Sequence, residues 1–314
     1  FDLTVTSLFL PLIRGNTLTI YPGDVELGEI LAHMLGPESR VDSLKITPSH
    51  IALLAESGLS GTSSIQIAIV GGEALLPDRV ALLHGLNPAM RVFNEYGPTE
   101  TTVGCIVFEV PPEAQQVLIG TPIANTRIYV LDEQKRLAPI GTPGEIYIAG
   151  SGVARGYLNR PELTAERFLD SPFQQGQRMY RSGDLGRWLA DGNMEYLGRC
   201  DDQVKIRGHR IEPGEIEGVL LAHPQVGRVA VIAVPIGGSQ SGPMNGTELV
   251  AYVVGEATAS ELRSWLSDRL PDYMHPTWFV PIDELPLTHN GKLDRRALPD
   301  PVKLSAARGA TVAD

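Results

Sequence analysis

Apolar residues recur along this chain in two rhythms. Up to about residue 110, short apolar runs alternate with stretches of helical spacing, as where Ser64 to Val70 leads into Gly71-Gly72-Glu73 and then a Leu-rich segment around Val80 to Leu86. A buried strand reads as a short apolar run and the helix covering it as a 3.6-residue period, so this part predicts layered α/β structure. From Val117 to about Gly198 the texture changes to short strands such as Arg127 to Leu131 and Glu145 to Ala149, broken by Gly and Pro turns. That spacing predicts a small β-subdomain packed on the first layer.

The last third predicts a compact α+β unit. Pro213 and Gly214 precede an amphipathic helix that carries Ile216, Val219 and Leu220 on one face and stops before Pro224. Two strands, Val229 to Val234 and Leu249 to Val254, flank a Gly/Ser/Asn-rich loop, and Ser260 is placed to cap a helix bearing Leu262, Trp265 and Leu266. Apolar Trp278 to Ile282 closes the unit near residue 300, and residues 301–314 read as a linker. There is no internal repeat.

Composition narrows the classes. The 314 residues carry 26 Lys and Arg against 37 Asp and Glu, a net charge of −11, and at roughly 100–200 residues per domain the chain holds about two domains. An acidic balance without a basic tail argues against a dedicated nucleic-acid partner. The strongest apolar run, Val229 to Val234, is far short of the ~18–20 residues of a membrane span. Cys105 and Cys200 lack CxxC spacing and the seven histidines form no HExxH or HxxxH pair, so the expectation is a cytoplasmic protein with reduced thiols and no structural zinc. Phe1-Asp2-Leu3 has no charged region before an apolar core, does not read as a signal peptide, and reads as a start within a domain.

The segment Asn94-Glu95-Tyr96-Gly97-Pro98-Thr99-Glu100-Thr101-Thr102 stands out, read as a turn after a strand Met90 to Phe93. An aromatic face can stack on a base, a hydroxyl can bind phosphate, and a carboxylate can hold Mg²⁺ beside phosphate oxygens. Alone, such a turn is more often plain surface. It is accompanied, however, by Gly71-Gly72-Glu73-Ala74, by Tyr180-Arg181-Ser182-Gly183-Asp184-Leu185, by the run Gly198-Arg199-Cys200-Asp201-Asp202-Gln203-Val204-Lys205-Ile206-Arg207-Gly208-His209-Arg210, and by Asn290-Gly291-Lys292-Leu293-Asp294-Arg295.

In this order the set resembles the adenylate-forming superfamily, most closely the amino-acid adenylation domains of nonribosomal peptide synthetases, over residues 1 to about 300. Gly144 to Phe168, with Gly156-Tyr157-Leu158-Asn159-Arg160-Pro161-Glu162-Leu163-Thr164, and Leu270-Pro271-Asp272-Tyr273-Met274-His275-Pro276 are similar as well. Family members begin with a large part carrying a Gly/Ser/Thr-rich phosphate loop. None is found here, so the chain reads as the C-terminal part of an adenylation core over 1–200 followed by the mobile C-terminal subdomain over 201–300.

The resemblance implies that ATP and an amino acid give aminoacyl-AMP and pyrophosphate, after which the acyl group passes to the phosphopantetheine thiol of a peptidyl carrier protein domain. It implies ATP and Mg²⁺ as cofactors, a condensation domain as neighbour and a short MbtH-like protein as a further partner. By motif, Lys292 bridges substrate carboxylate and α-phosphate, Asp184 accepts the ribose hydroxyls, and Arg199 contacts ribose or phosphate. Tyr96 stacks on adenine, Asn94, Gly71, Gly72, Glu73, Glu95 and Gly97 border the nucleotide, Tyr196 lines the ribose, Thr99 contacts phosphate, and Glu100 contacts Mg²⁺. Asp201 is the hinge candidate and Gly208 belongs to the thioester step.

Asp2 matches the family's partner for the substrate α-ammonium. Counting along the matching segments, Leu3, Thr6, Lys45, Ile69, Gly71, Glu95, Val103 and Gly104 line the side-chain pocket, with Lys292 at the carboxylate. Two opposite charges in one small pocket call for a side chain with both an acceptor and a donor, since a buried charge needs a partner. A primary amide offers its C=O to Lys45 and its NH₂ to Glu95, and the set is similar to the family's asparagine-selecting pattern, with Ile69 where leucine is commoner. The expected substrate is L-asparagine. Aspartate is the runner-up, and an acyl- or aryl-CoA ligase or a non-catalytic docking fragment are the competing readings.

Overall fold

Short runs of β-branched residues set the first sheet. Strands Ser43–Ile46, Ile67–Gly71 and Arg91–Tyr96 lie side by side and parallel, and Ile106–Val110 and Thr121–Pro122 continue the sheet antiparallel. Parallel neighbours need a crossover, supplied by helices Pro48–Glu56 and Pro77–Leu86. Both open on proline, whose missing N–H costs nothing in the first helical turn. The computed structural model describes residues 2–56, 63–235, 247–290 and 293–301, which fall into two units divided between Asp201 and Asp202.

The register of the parallel strands sorts their side chains. Lys45 lies opposite Ile69, Ile69 opposite Phe93, and Gly71 opposite Glu95. Because strand side chains alternate between faces, these five residues share one face. The other face buries Leu44, Ile46, Ala68, Val70 and Val92 against helix residues including Leu35, Ile51, Val80 and Leu83. One side of the sheet is thus a hydrophobic core, and the other carries the charged residues Lys45 and Glu95. The third strand runs on through Tyr96 rather than ending at Phe93, because Asn94, Glu95 and Tyr96 pair with Phe108, Val107 and Ile106. The expected turn therefore begins three residues late.

The β-subdomain is an antiparallel sheet in the order Met194–Arg199, Arg178–Trp188, Gly144–Gly150, Thr126–Leu131, with Phe168–Asp170 also paired to the long strand. Its Ile128, Val130, Ile146, Ile148 and Met194 pack with Tyr96, Cys105, Ile106 and Ile119, joining the two sheets of the first unit.

The second unit opens with the hairpin Val204–Ile206/His209–Ile211. Both turn residues, Arg207 at φ 50° and Gly208 at φ 79°, are left-handed, as a two-residue hairpin turn whose twist matches its strands requires. Strands Val226–Pro235 and Thr247–Gly255 pair antiparallel and Trp278–Pro281 adds parallel to the second. Helices Pro213–Leu221 and Ala259–Ser267 bury Ile216, Leu220, Leu262 and Leu266 against this sheet. The cap of the second helix is Thr258, not Ser260. Thr258 Oγ1 accepts from the backbone N–H of Glu261, whose carboxylate accepts from the N–H of Thr258. The reciprocal pair satisfies two orphan donors and so outcompetes a serine two positions later. The expected Gly/Ser/Asn-rich loop, over 236–246, and residues 302–314 of the expected linker lie outside the described residues. No described helix is long and apolar enough to cross a membrane.

Candidate active site

Parallel strands gather functional groups at their carboxyl ends, where the crossover loops leave a crevice. Lys45 and Glu95 both stand near such ends, on the face away from the helical core. Lys45 Nζ lies 2.5 Å from Glu95 Oε2, with the side chains only 2% and 17% exposed. The ammonium also donates to Thr6 Oγ1 at 3.1 Å, which brings helix Thr4–Ile13 onto this face. Two charges withdrawn from water are tolerated because they meet each other. A third ammonium hydrogen of Lys45 and Glu95 Oε1 have no partner among the described residues.

Gly104 lies against the Glu95 side chain. A Cβ there would lie 2.4 Å from Glu95 Cδ, so the carboxylate rests directly on the glycine. Preceding it, Thr102 at φ 65° and Val103 at φ 68° are β-branched residues in left-handed backbone, a genuine outlier that persists only where surroundings hold it. Thr102 Oγ1 donates to the Gly152 carbonyl at 2.7 Å and supplies part of that hold. Asp2 Oδ2 is buried with no hydrogen-bond partner among the described residues, whereas most buried polar atoms have one. Leu3 sits at the N-terminus of the Thr6 helix. Ile69 and Phe93 complete the row with Lys45. Phe93 was missed by the sequence reading, although its spacing of two from Glu95 places it on the same face.

A second constellation centres on Asp184, which is 2% exposed. Tyr96 donates to its Oδ2 at 2.5 Å, Arg199 Nη1 to its Oδ1 at 2.7 Å, and Tyr196 reaches Oδ1 at 3.4 Å. The Tyr96 and Tyr196 rings lie 6.0 Å apart. Burial, and then the Asp184 charge, push both phenols up, so both stay protonated donors. Arg199 also grips Asp201 through Nε and Nη2, at 2.6 and 2.7 Å. The hinge candidate is thus tied through one guanidinium to the ribose candidate. Burial, then the Glu145 and Asp201 charges, push the neighbouring Cys200 thiol up.

The turn between the strands carries the third group. Thr99–Thr101 forms one 3₁₀ turn after Gly97-Pro98. Glu100 Oε1 accepts from the Tyr157 hydroxyl at 2.5 Å, and burial together with that carboxylate pushes the phenol up. Asn94 is buried and donates to the Leu118 carbonyl at 2.8 Å, which leaves it structurally committed. Beyond Gly71 and Gly72, Glu73 Oε2 accepts from Ser49 Oγ at 2.6 Å, while its Oε1 is buried with no hydrogen-bond partner among the described residues. Ser49 and Tyr157 were not assigned from sequence; Tyr157 lies in the quoted run Gly156 to Thr164, but only the fold shows what either residue touches. Gly208 sits in the hairpin turn of the second unit, and Lys292 lies outside the described residues. Among the described residues no group of three or more His, Cys, Asp or Glu could hold a metal ion.

Residues 1–158 match the family described as AMP-binding enzyme, and residues 215–292 match the AMP-binding enzyme C-terminal domain. One of the mycosubtilin synthase proteins of Bacillus subtilis is 49% identical over 308 residues, which cover 96% of this chain and 11% of that protein. A solved four-domain nonribosomal peptide synthetase bound to AMP and glycine aligns with a TM-score of 0.58 and 39% identity, over 96% of this chain and 22% of its own. The o-succinylbenzoate CoA synthetase of Bacillus subtilis, a double mutant bound with a product analogue, aligns with a TM-score of 0.79 and 25% identity, over 95% of this chain and 58% of its own. The chain thus spans about a tenth of the curated relative's length. The layered α/β core and the α+β second unit are those of the adenylate-forming fold. Matched over half its length by one family description and over most of its second unit by the other, this chain belongs to the AMP-binding enzymes, the adenylate-forming ligases.

Proposed function

We propose that this chain is adenylation machinery of a nonribosomal peptide synthetase, that it activates L-asparagine as asparaginyl-AMP, and that it loads the phosphopantetheine thiol of a carrier domain. The observation that carries the reading is the buried Lys45–Glu95 pair at the strand ends. The pair is neutral as a whole and offers one donor, the third ammonium hydrogen, beside one acceptor, Glu95 Oε1. A primary amide matches both. Aspartate would set a carboxylate against Glu95, and mispairing polar site groups costs on the order of 10⁴ in discrimination. The partnerless Asp2 Oδ2 supports an amino acid over a simple acid, because an α-ammonium is the donor it lacks.

In the first half-reaction a substrate carboxylate oxygen bonds to the α-phosphorus as the bond to pyrophosphate breaks. Two anions must meet, so catalysis rests on alignment and charge cancellation. By its motif, Lys292 is assigned to both anions. Asp184, oriented by Tyr96 and Arg199, is assigned to the ribose hydroxyls, and Tyr96 and Tyr196 to the adenosine. Glu100 with Thr99 fits a metal that arrives with the nucleotide, since Mg²⁺ ordinarily takes one or two carboxylates beside phosphate oxygens and water. When bound, Mg²⁺ neutralises phosphate charge. In the second half-reaction the carrier thiol attacks the acyl carbon and AMP leaves, with Asp201 as the pivot and Gly208 on the thioester side.

Pyrophosphate exchange against the twenty amino acids and a panel of organic acids tests this. The expected result is a peak for asparagine that Lys45→Ala and Glu95→Ala both abolish. A peak for another amino acid would keep the adenylation reading and refute the pocket. Exchange with organic acids alone would favour a CoA ligase, the activity of one relative sharing the fold.

A further inference from the structure

The segment Gly156 to Thr164 has no role in the reaction as described, yet it delivers one side chain to the metal candidate. The Tyr157 hydroxyl meets Glu100 Oε1 at 2.5 Å although 57 positions separate the residues. Three contacts fix that hydroxyl. The backbone N–H of Tyr157 donates to Thr164 Oγ1 at 2.9 Å, its ring meets the Phe168 ring edge-on at 5.3 Å, and its hydroxyl lies 3.4 Å from that of the fully buried Tyr180. The approach requires Gly156, whose φ is 142° and where a Cβ would lie 2.4 Å from Thr164 Cγ2. The residues just before this segment hold the turn at two more points: Ala154 N–H donates to the Glu100 carbonyl at 2.8 Å, and Thr102 Oγ1 to the Gly152 carbonyl at 2.7 Å.

We infer that Tyr157 is a positioning residue for the Glu100 carboxylate, fixing its orientation toward the cation that accompanies the nucleotide; this rests on the reading of Glu100 as the Mg²⁺ contact. A free glutamate on a one-turn 3₁₀ element samples several rotamers. A rigid donor on one oxygen selects among them before the metal arrives, as hydrogen-bonding partners behind metal ligands generally do. The charge-assisted bond is of the strong kind.

Calorimetric binding of α,β-methylene-ATP, with saturating Mg²⁺ and with chelator, separates positioning from general damage. In the parent chain Mg²⁺ strengthens binding. In Tyr157→Phe, which keeps the ring on Phe168, the Mg²⁺-dependent gain falls roughly tenfold while metal-free affinity is unchanged. Glu100→Gln removes the gain, and adding Tyr157→Phe to it changes nothing further. A full gain in Tyr157→Phe overturns the assignment while leaving Glu100 in place, and so does an equal loss with and without metal. A gain that survives Glu100→Gln, or a parent chain showing none, overturns the Glu100 reading and this one with it.

Discussion

The Tyr96 hydroxyl donates to Asp184 Oδ2 across 2.5 Å, tying the last residue of Arg91–Tyr96 to the long strand Arg178–Trp188 of the other sheet. Tyr96 is 7% exposed and Asp184 2%, so no water replaces the bond if it is removed. Tyr96→Phe keeps the ring and deletes only the donor. It should lower stability by about 1–3 kcal/mol, the penalty for a buried acceptor that loses a partner. Urea unfolding measures this directly; an unchanged midpoint would show that Arg199 satisfies Asp184 by itself.

The Lys45–Glu95 pair separates stability from selectivity. Lys45→Met alone strands a carboxylate in a largely closed pocket and should cost about 3–5 kcal/mol, as breaking one side of a buried pair does. Combining it with Glu95→Leu removes the stranded charge, so most of that stability should return while asparagine-dependent exchange stays lost. If the double variant were as unstable as the single one, the pair would be holding the fold through packing rather than charge.

Part of this arrangement was legible in the sequence. Lys45, Ile69 and Glu95 were grouped there by resemblance to the family's pocket positions, not by strand periodicity, which ended the third strand at Phe93; the observed register puts the three on one face. The helix Pro213–Leu221 was readable from Ile216 and Leu220. Contacts between distant segments were not. Nothing local in Tyr157 or Ser49 announces Glu100 or Glu73 as its partner, and the left-handed backbone at Thr102 and Val103 contradicts their side-chain preference. The strand end at Tyr96 was missed because Gly97-Pro98 dominates the local signal, although pairing with Ile106 carries the strand up to it. The capping error is of another kind, because Thr258 and Glu261 stand at capping-box spacing and the signal was there to read.

That box gives a paired test in the second unit. Thr258→Ala should destabilise by about 1 kcal/mol, the usual cost of losing a threonine cap. Ser260→Ala, inside the helix and without a cap bond in the structure, should be close to neutral. Thermal unfolding of the two variants decides which residue starts the helix.

Two histidines predict the pH dependence of stability. Burial pushes both His50 and His84 below the usual imidazole range, against an opposing Glu113 charge for His84. Nδ1 of His50 accepts from the backbone N–H of Thr47 at 3.2 Å, and neither ring nitrogen of His84 has a hydrogen-bond partner among the described residues. Both rings are thus neutral in the fold and titrate near pH 6.5 when unfolded. Below about pH 6.5 the unfolded state binds more protons, so stability is complete above that pH and declines as pH falls toward the folded-state values. Urea midpoints should be lower at pH 5.5 than at pH 7.5. His84→Leu should narrow the gap; an unaltered gap would mean that His84 does not contribute to it.

Gly104 tests whether the Glu95 carboxylate is where substrate is read. An added Cβ would lie 2.4 Å from Glu95 Cδ and 2.5 Å from both Cγ and Oε1, all side-chain atoms. A side chain can rotate away where a backbone could not, so Gly104→Ala should fold, at a cost of about 1–3 kcal/mol for overpacking. Glu95 can escape only by leaving its place, which opens the 2.5 Å contact with Lys45. Exchange with asparagine should therefore fall far more than stability, with KM rising because the acceptor has moved off the amide. Glu95→Asp on the Gly104→Ala background shortens the side chain and should recover stability without recovering asparagine selectivity. If Gly104→Ala kept full preference for asparagine, the carboxylate could not be the group that recognises it, and the pocket assignment would have to shift toward Lys45 and Thr6.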